Sequence, residues 1–188
     1  MAWLWYFLFY SFLGFLAEMA FARAVGAEKR DRKCFLVLPL CPVYGLGALL
    51  ILAPAPWLRP WPGLVALWSA LAATAAEYGM SLFYEKALGV SFWDYSHLPH
   101  NLGGRICPRF SACWCLLGLL AVYGIQPLAA AAAERLPGWL TAAAAIALLL
   151  DGAATARLLR KTGSTDALCW YRHLPLPILT KEKSNLEN

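Results

Sequence analysis

The chain has 188 residues, of which 61% are hydrophobic and 14% are charged, with a formal net charge of +5. Soluble domains carry about 25% charged residues, so this composition excludes an ordinary water-soluble protein and indicates a one-domain membrane protein. We expect membrane lipids around it and no nucleic acid as a partner.

Five apolar segments are long enough to cross a hydrocarbon layer, which needs ~20 helical residues. They run Trp3–Ala22, Phe35–Ala53, Leu64–Tyr84, Ile106–Leu128 and Trp139–Leu159. Strands exposed to lipid cannot satisfy their backbone polar groups, so all five segments are predicted to be helices. The predicted fold is an all-α polytopic bundle of about five transmembrane helices in residues 1–160, followed by a cytoplasmic tail in residues 161–188.

The basic residues indicate how the bundle is oriented. Fourteen of the 16 lie in the first loop, around the third loop, or at and beyond the end of the last segment, and only Arg59 and Arg135 lie on the other side. The positive-inside rule then predicts an external N-terminus and a cytosolic C-terminus in a bacterial cytoplasmic membrane. No Lys or Arg precedes Arg23, so the first segment is expected to be a retained span and not a secretory signal.

Three carboxylates, Glu18, Glu77 and Asp151, lie inside predicted helices. A charge at such a position costs ~2.5–3.5 kcal/mol on insertion scales unless it has a partner or a wet cavity. With a rise of about 1.5 Å per residue, all three fall in the cytoplasmic half of the layer. We expect them to share a polar pocket open to the cytosol, with Arg105 as the counter-charge of one or two. The alternative is that each acid snorkels or stays protonated beside a hydroxyl.

The second segment contains two prolines three residues apart, Pro39 and Pro42, which interrupt a regular helix. This break is either a cavity-lining discontinuity or a simple kink. Cys41 and Tyr44 lie beside it at the depth of the buried acids. Two glycines that follow, Gly45 and Gly47, are expected to permit close approach of a neighbouring helix.

The segment Phe92–Ser111 combines acidic, basic, hydroxyl, amide, imidazole and thiol groups, and we call it the polar loop. It is either a connecting loop or the lid of the predicted pocket. Ser81, one turn after Glu77 on the third helix, shares the face of that acid. The predicted pocket residues are Glu18, Cys41, Tyr44, Glu77, Ser81, Asp94, Tyr95, Ser96, Asn101, Arg105 and Asp151.

A metal site is weakly supported by this sequence. His97 and His100 are three residues apart, but a proline between them prevents a helical ligand pair. The six cysteines contain no C-x-x-C pair, so we expect free thiols packed as small apolar side chains. We therefore predict no metal and no cofactor.

Several motifs resemble one known family. They are the Cys-Pro-Val-Tyr-Gly-Leu-Gly run at 41–47, Trp-Asp-Tyr-Ser at 93–96 and Gly-Arg-Ile-Cys at 104–107. These are similar to the ABC-transporter type IV family, and the similarity extends from Tyr10 to Thr155. The resemblance implies a small bacterial integral membrane protein of the kind described as an ABC-transporter permease.

Three kinds of function remain open from the sequence. The chain has no G-x-x-x-x-G-K-[ST] motif, so a permease-like subunit would need a separate ATPase on its cytoplasmic face. With few spans, it would also need a homo- or hetero-oligomer. The alternatives are a lipid-binding protein or enzyme at the inner leaflet, with Arg105 at a lipid phosphate, and a non-catalytic scaffold in which the polar loop is a structural element. Whether the protein is an enzyme is left open.

Overall fold

A computed structural model describes residues 1–27 and 33–170. Within these ranges the chain is all-helical, as predicted, and its only extended pairing is a bridge between Leu102 and Ile106. The helices are α1 (Ala2–Ala24), α2 (Pro42–Leu52), α3 (Ala55–Leu58), α4 (Pro62–Phe83), α5 (Pro108–Leu119), α6 (Gln126–Glu134) and α7 (Gly138–Thr162). A π-helical turn, Tyr84–Leu88, extends α4, and a second, Leu120–Ile125, joins α5 to α6.

Three helices of the described chain are long and apolar enough to cross a membrane: Ala2–Ala24, Pro108–Glu134 and Gly138–Thr162. Helix α4 has a comparable length of 22 residues but does not meet the same hydropathy criterion. Helix α2 has only 11 residues, which span about 16 Å at the usual helical rise. Three membrane-capable helices in the described ranges fit a membrane protein.

The predicted helix at Phe35–Ala53 is wrong over its first part, because the helix begins only at Pro42. The preceding residues, 33–41, are irregular. Proline lacks an N–H group and is accommodated at the first position of a helix, where that donor would have no partner. Of the two prolines predicted to interrupt the helix, Pro42 is its first residue and Pro39 lies in the irregular segment before it.

The irregular arm, residues 33–41, obtains its hydrogen bonds from neighbouring helices. The N–H groups of Val37 and Leu38 donate hydrogen bonds of 2.7–3.2 Å to the carboxylate of Asp151 in α7. The N–H of Cys41 donates to the backbone oxygen of Ser11 in α1 at 2.9 Å. Irregular backbone in a membrane protein needs such internal partners, because lipid supplies none.

Glycines set the contact between α1 and α2. A Cβ atom at Gly45 would lie 2.7 Å from the backbone oxygen of Phe7 and closer still to Ser11 Oγ. One at Gly14 would lie 2.6 Å from Cδ2 of Tyr44. The predicted close approach at Gly45 is thus confirmed. At Gly47 the nearest atom would be 3.6 Å away, an ordinary packing distance, so that glycine is not needed for a close approach.

Candidate functional site

A cavity of about 370 Å³ lies among α1, α2, α4, α5 and the polar loop. Among the residues that the structure describes, its walls carry two carboxylates, Glu18 and Glu77, and no Lys, Arg or His. Seven aromatic side chains line it: Phe21, Tyr44, Phe92, Trp93, Tyr95, Phe110 and Trp114. The cavity thus combines an apolar aromatic wall with negative groups.

Glu77 is buried in α4, with 4% of its surface exposed. Its Oε1 accepts a 2.9 Å hydrogen bond from the hydroxyl of Tyr95, and its Oε2 accepts one of 3.3 Å from the indole Nε1 of Trp114. Each oxygen therefore has a donor. A buried polar group without such partners would destabilise the fold, so these two aromatic residues make the position of Glu77 tolerable.

Glu18 lies in the last part of α1 and is half-buried. The hydroxyl of Tyr44 donates to its Oε1 at 2.8 Å. Because Gly14 has no side chain, the Tyr44 ring packs directly against α1. This position brings the Tyr44 hydroxyl to Glu18. Oε2 of Glu18 has no hydrogen-bond donor among the described residues.

The polar loop is held in shape by its own side chains. The carboxylate of Asp94 accepts hydrogen bonds from the N–H and the hydroxyl of Ser96, at 2.8 and 2.9 Å. These bonds, the backbone one first, lower the pKa of Asp94, since they stabilise its charged form. Asn101 donates to the backbone oxygens of Ser96 and Leu98 and accepts from the N–H of Gly104 at 2.9 Å. The predicted pocket residues Asp94, Ser96 and Asn101 thus stabilise the loop and do not line the cavity.

This loop conformation presents Tyr95 to the buried acid. The N–H of Tyr95 donates to the backbone oxygen of Gly104 at 2.7 Å. Gly104 has a φ of 72°, in a region that side-chain-bearing residues rarely occupy. Burial, followed by the negative charge of Glu77, raises the pKa of the Tyr95 hydroxyl, so this group stays protonated as a donor.

Arg105 pairs with a different acid from the ones we predicted. Its guanidinium forms an ion pair with Glu85, in the π-helical turn after α4, and Nη1 also donates to the backbone oxygen of Gly103 at 3.1 Å. The predicted pairing with Glu18, Glu77 or Asp151 is therefore corrected. Glu85 lies at the end of the helix, where a guanidinium reaches it while staying partly hydrated, whereas the deeper acids would require full desolvation.

Two further members of the predicted pocket have structural roles. Asp151 is 8% exposed and accepts from the irregular arm, at Val37 and Leu38, so it does not line the cavity. The hydroxyl of Ser81 lies 3.5 Å from Glu85 Oε1 and also lies outside the cavity wall. The structure therefore brings five of the predicted pocket residues together. They are Glu18, Cys41, Tyr44, Glu77 and Tyr95.

Sequence reasoning missed the aromatic wall and the Trp114 donor. Phe92, Trp93 and Phe110 belong to the polar loop, but the sequence prediction included only polar side chains of that loop. Trp114 lies 37 positions from Glu77, and nothing local to either residue indicates their contact. The signal that was available is the density of aromatic residues flanking the conspicuous polar ones.

The cysteines are free thiols in the described residues. Cys34 and Cys41 lie side by side, with 3.6 Å between their sulfur atoms, and both line the cavity. His97 and His100 are exposed, and the described part of the chain contains no cluster of three or more metal-ligating side chains.

The helical architecture, the membrane-capable helices and the enclosed carboxylates define a polytopic helical membrane protein. The chain belongs to the family described as Putative ABC-transporter type IV, whose model matches residues 5–155. That range includes both cavity carboxylates and the whole polar loop. Neither a curated protein nor a solved structure matches the chain.

Proposed function

We propose that the protein is a permease-like subunit of an ABC-type transporter, with a ligand site in the cavity that contains Glu18 and Glu77. The observation that carries this proposal is the placement of two carboxylates in one 370 Å³ cavity of a membrane protein from this family. Ionisable groups at membrane depth are costly and usually mark a pathway or a binding site.

The membrane arrangement we propose has five spans. The three membrane-capable helices are joined by α4 and by α2 together with the irregular arm, in a domain of residues 1–160. The N-terminus is external, and the cavity and the polar loop face the cytosol of a bacterial cell. The distribution of basic residues supports this orientation. The proposed cytoplasmic tail, 161–188, lies mostly outside the described residues.

The proposed partners are lipids, an ATPase subunit and further copies of this or a related chain. Leucines on the long helices, such as Leu116, Leu128 and Leu149, are each more than 70% exposed, which fits contact with lipid or a second membrane subunit. Exposed basic residues near the polar loop, Lys86 and Arg109, offer a cytoplasmic contact for the ATPase.

The alternative site for a lipid phosphate at Arg105 is less favoured, because its charge is already compensated by Glu85. An enzyme reaction would need a nucleophile or base exposed in the cavity. The described wall offers two glutamates, each accepting a hydrogen bond from a tyrosine hydroxyl, and three thiols, of which Cys34 and Cys41 are buried beside each other and Cys113 is exposed. Binding and passage of a ligand therefore fit this cavity better than chemistry on it.

The test is purification of the tagged full-length protein from its native membrane in mild detergent. We expect an ATP-hydrolysing subunit to co-purify with it. Reversal of a charge on the proposed cytoplasmic face, Arg109→Glu, should reduce the recovered ATPase, whereas Arg135→Glu, at the other end of the bundle, should not. Recovery of a homo-oligomer without ATPase activity would reject the permease role.

A further inference from the structure

We infer that the cavity binds an organic cation with an apolar body, such as a quaternary ammonium or phosphonium ion carrying aromatic groups. This inference rests on the proposed function in taking the cavity as the ligand site. It adds the chemical class of the ligand, which the family assignment does not supply.

The charge of the cavity wall selects a cation. The carboxylates of Glu18 and Glu77 lie in the wall, and none of the described lining residues is basic. The guanidinium of Arg105 in the polar loop is paired with Glu85 and does not line the cavity. An anionic ligand would therefore meet like charge without a counter-charge, and a neutral ligand would leave the negative groups uncompensated.

The aromatic wall selects an apolar body around that charge. Ring faces attract cations, most strongly when the site is desolvated, and quaternary ammonium ions are recognised in this way by aromatic cages. Trp93, Tyr95 and Trp114 belong to this wall. Tyr95 and Phe110 are stacked with ring centroids 4.7 Å apart, which makes the wall by the loop rigid.

The size of the cavity fits a small organic molecule. Its volume of about 370 Å³ falls within the range of ~300–1,000 Å³ typical of small-molecule sites. Oε1 of Glu18 is bonded to Tyr44, and Oε2, which has no donor among the described residues, can face the ligand. Both oxygens of Glu77 accept hydrogen bonds, from Tyr95 and Trp114, so this carboxylate would attract the cation without contacting it directly.

The probe is tetraphenylphosphonium, with tetraphenylborate as a control of the same shape and opposite charge. Equilibrium binding is measured on the full-length protein in nanodiscs of phosphatidylethanolamine and phosphatidylglycerol. After subtraction of binding to empty nanodiscs of the same lipids, into which both hydrophobic ions partition, we expect the cation to bind the protein and the borate to bind it at least about tenfold more weakly. Equal binding of both ions, or of neither, would overturn the inference.

The variants locate the site. Glu18→Gln keeps an oxygen for the Tyr44 hydroxyl, so it should fold while lowering the affinity for the cation by about tenfold or more. Glu77→Gln should act in the same direction. Glu134→Gln, at the exposed end of α6, is the matched control and should bind as the wild type does. Unchanged affinity in a folded Glu18→Gln protein would place the binding elsewhere and reject the inference.

A choline headgroup of a lipid offers the same chemistry as a free ammonium ion. If it is the occupant, adding phosphatidylcholine to the nanodiscs should weaken phosphonium binding, whereas a soluble ligand site should be indifferent to it. Either result supports a cation site.

The outcome of the cation-binding experiment can also be separated from the outcome of the permease test. An ATPase without cation binding would reject only the ligand class, and cation binding without an ATPase would reject only the permease role.

Discussion

The hydroxyl of Tyr95 donates a 2.9 Å hydrogen bond to Oε1 of Glu77 and so connects the polar loop to a carboxylate inside α4. The indole Nε1 of Trp114, in α5, donates a hydrogen bond to the other oxygen of Glu77, Oε2. One buried acid therefore joins a loop and two helices. The loop is consequently part of the cavity wall and not merely a connection between spans.

Tyr95→Phe should destabilise the protein by about 1–3 kcal/mol, because one oxygen of a buried carboxylate loses its donor. Thermal unfolding in detergent, followed by tryptophan fluorescence, measures the change. Tyr78→Phe is the control, since Tyr78 makes no side-chain hydrogen bond in the described residues. Equal melting temperatures for the two variants would show that the bond to Glu77 does not stabilise the fold.

Gly45→Ala should reduce the yield of folded, monodisperse protein, because the added Cβ would lie 2.7 Å from the Phe7 backbone oxygen. Overpacking of this kind costs about 1–3 kcal/mol. Gly47→Ala should be tolerated, since its nearest atom, on Ala73, would be 3.6 Å away. Size-exclusion profiles of the two variants compare them directly. If both behave alike, α1 and α2 do not pack as closely as described.

Asp151→Asn should loosen the irregular arm, because an NH₂ group would replace one of the two oxygens that accept from the N–H groups of Val37 and Leu38. We expect a loss of about 1–3 kcal/mol and faster hydrogen exchange in the peptide that contains residues 33–41. Thr155→Val removes the 2.9 Å bond from the Leu36 N–H and the longer, 3.4 Å bond to Asp151 Oδ1, and it should have a smaller effect. Exchange unaltered by Asp151→Asn would mean that another group holds the arm.

A double-mutant cycle of Glu85→Gln and Arg105→Gln should give a coupling energy of about 1 kcal/mol or less. The two side chains are 34% and 25% exposed, so solvent screens their attraction. Arg105→Gln combined with Asp151→Asn should be additive, because these residues do not share a partner. A measurable coupling energy between Arg105 and Asp151 would contradict this and would support the ion pair that was predicted from the sequence.

The helical class could be predicted because lipid leaves the backbone few choices. The break at Pro39 and Pro42 could also be predicted, since proline chemistry is local. The prediction that Phe35–Ala53 is one helix failed because hydropathy records how apolar a segment is and not whether other helices supply its hydrogen bonds. Asp151, more than a hundred positions away, supplies them here.

The sequence predicted only part of the site correctly, because it indicates how deep a residue lies in the membrane but not which way its helix faces. Glu18, Glu77 and Asp151 were assigned to similar depths, but which of them meet depends on how each helix is rotated about its axis. Packing of α1 on α2, and of α4 on α5, turns the first two toward the cavity. Asp151 faces the irregular arm instead, and Arg105 meets Glu85 because both lie at the same end of α4.

Chemical labelling of Cys113 tests the cytoplasm-facing cavity most directly. This thiol is exposed and lines the cavity, and it can be kept as the single cysteine by replacing the other five with alanine. A membrane-impermeant maleimide should label it in inside-out vesicles, and tetraphenylphosphonium should slow that reaction. Labelling in right-side-out vesicles, or in neither preparation, would contradict a cavity that opens to the cytosol.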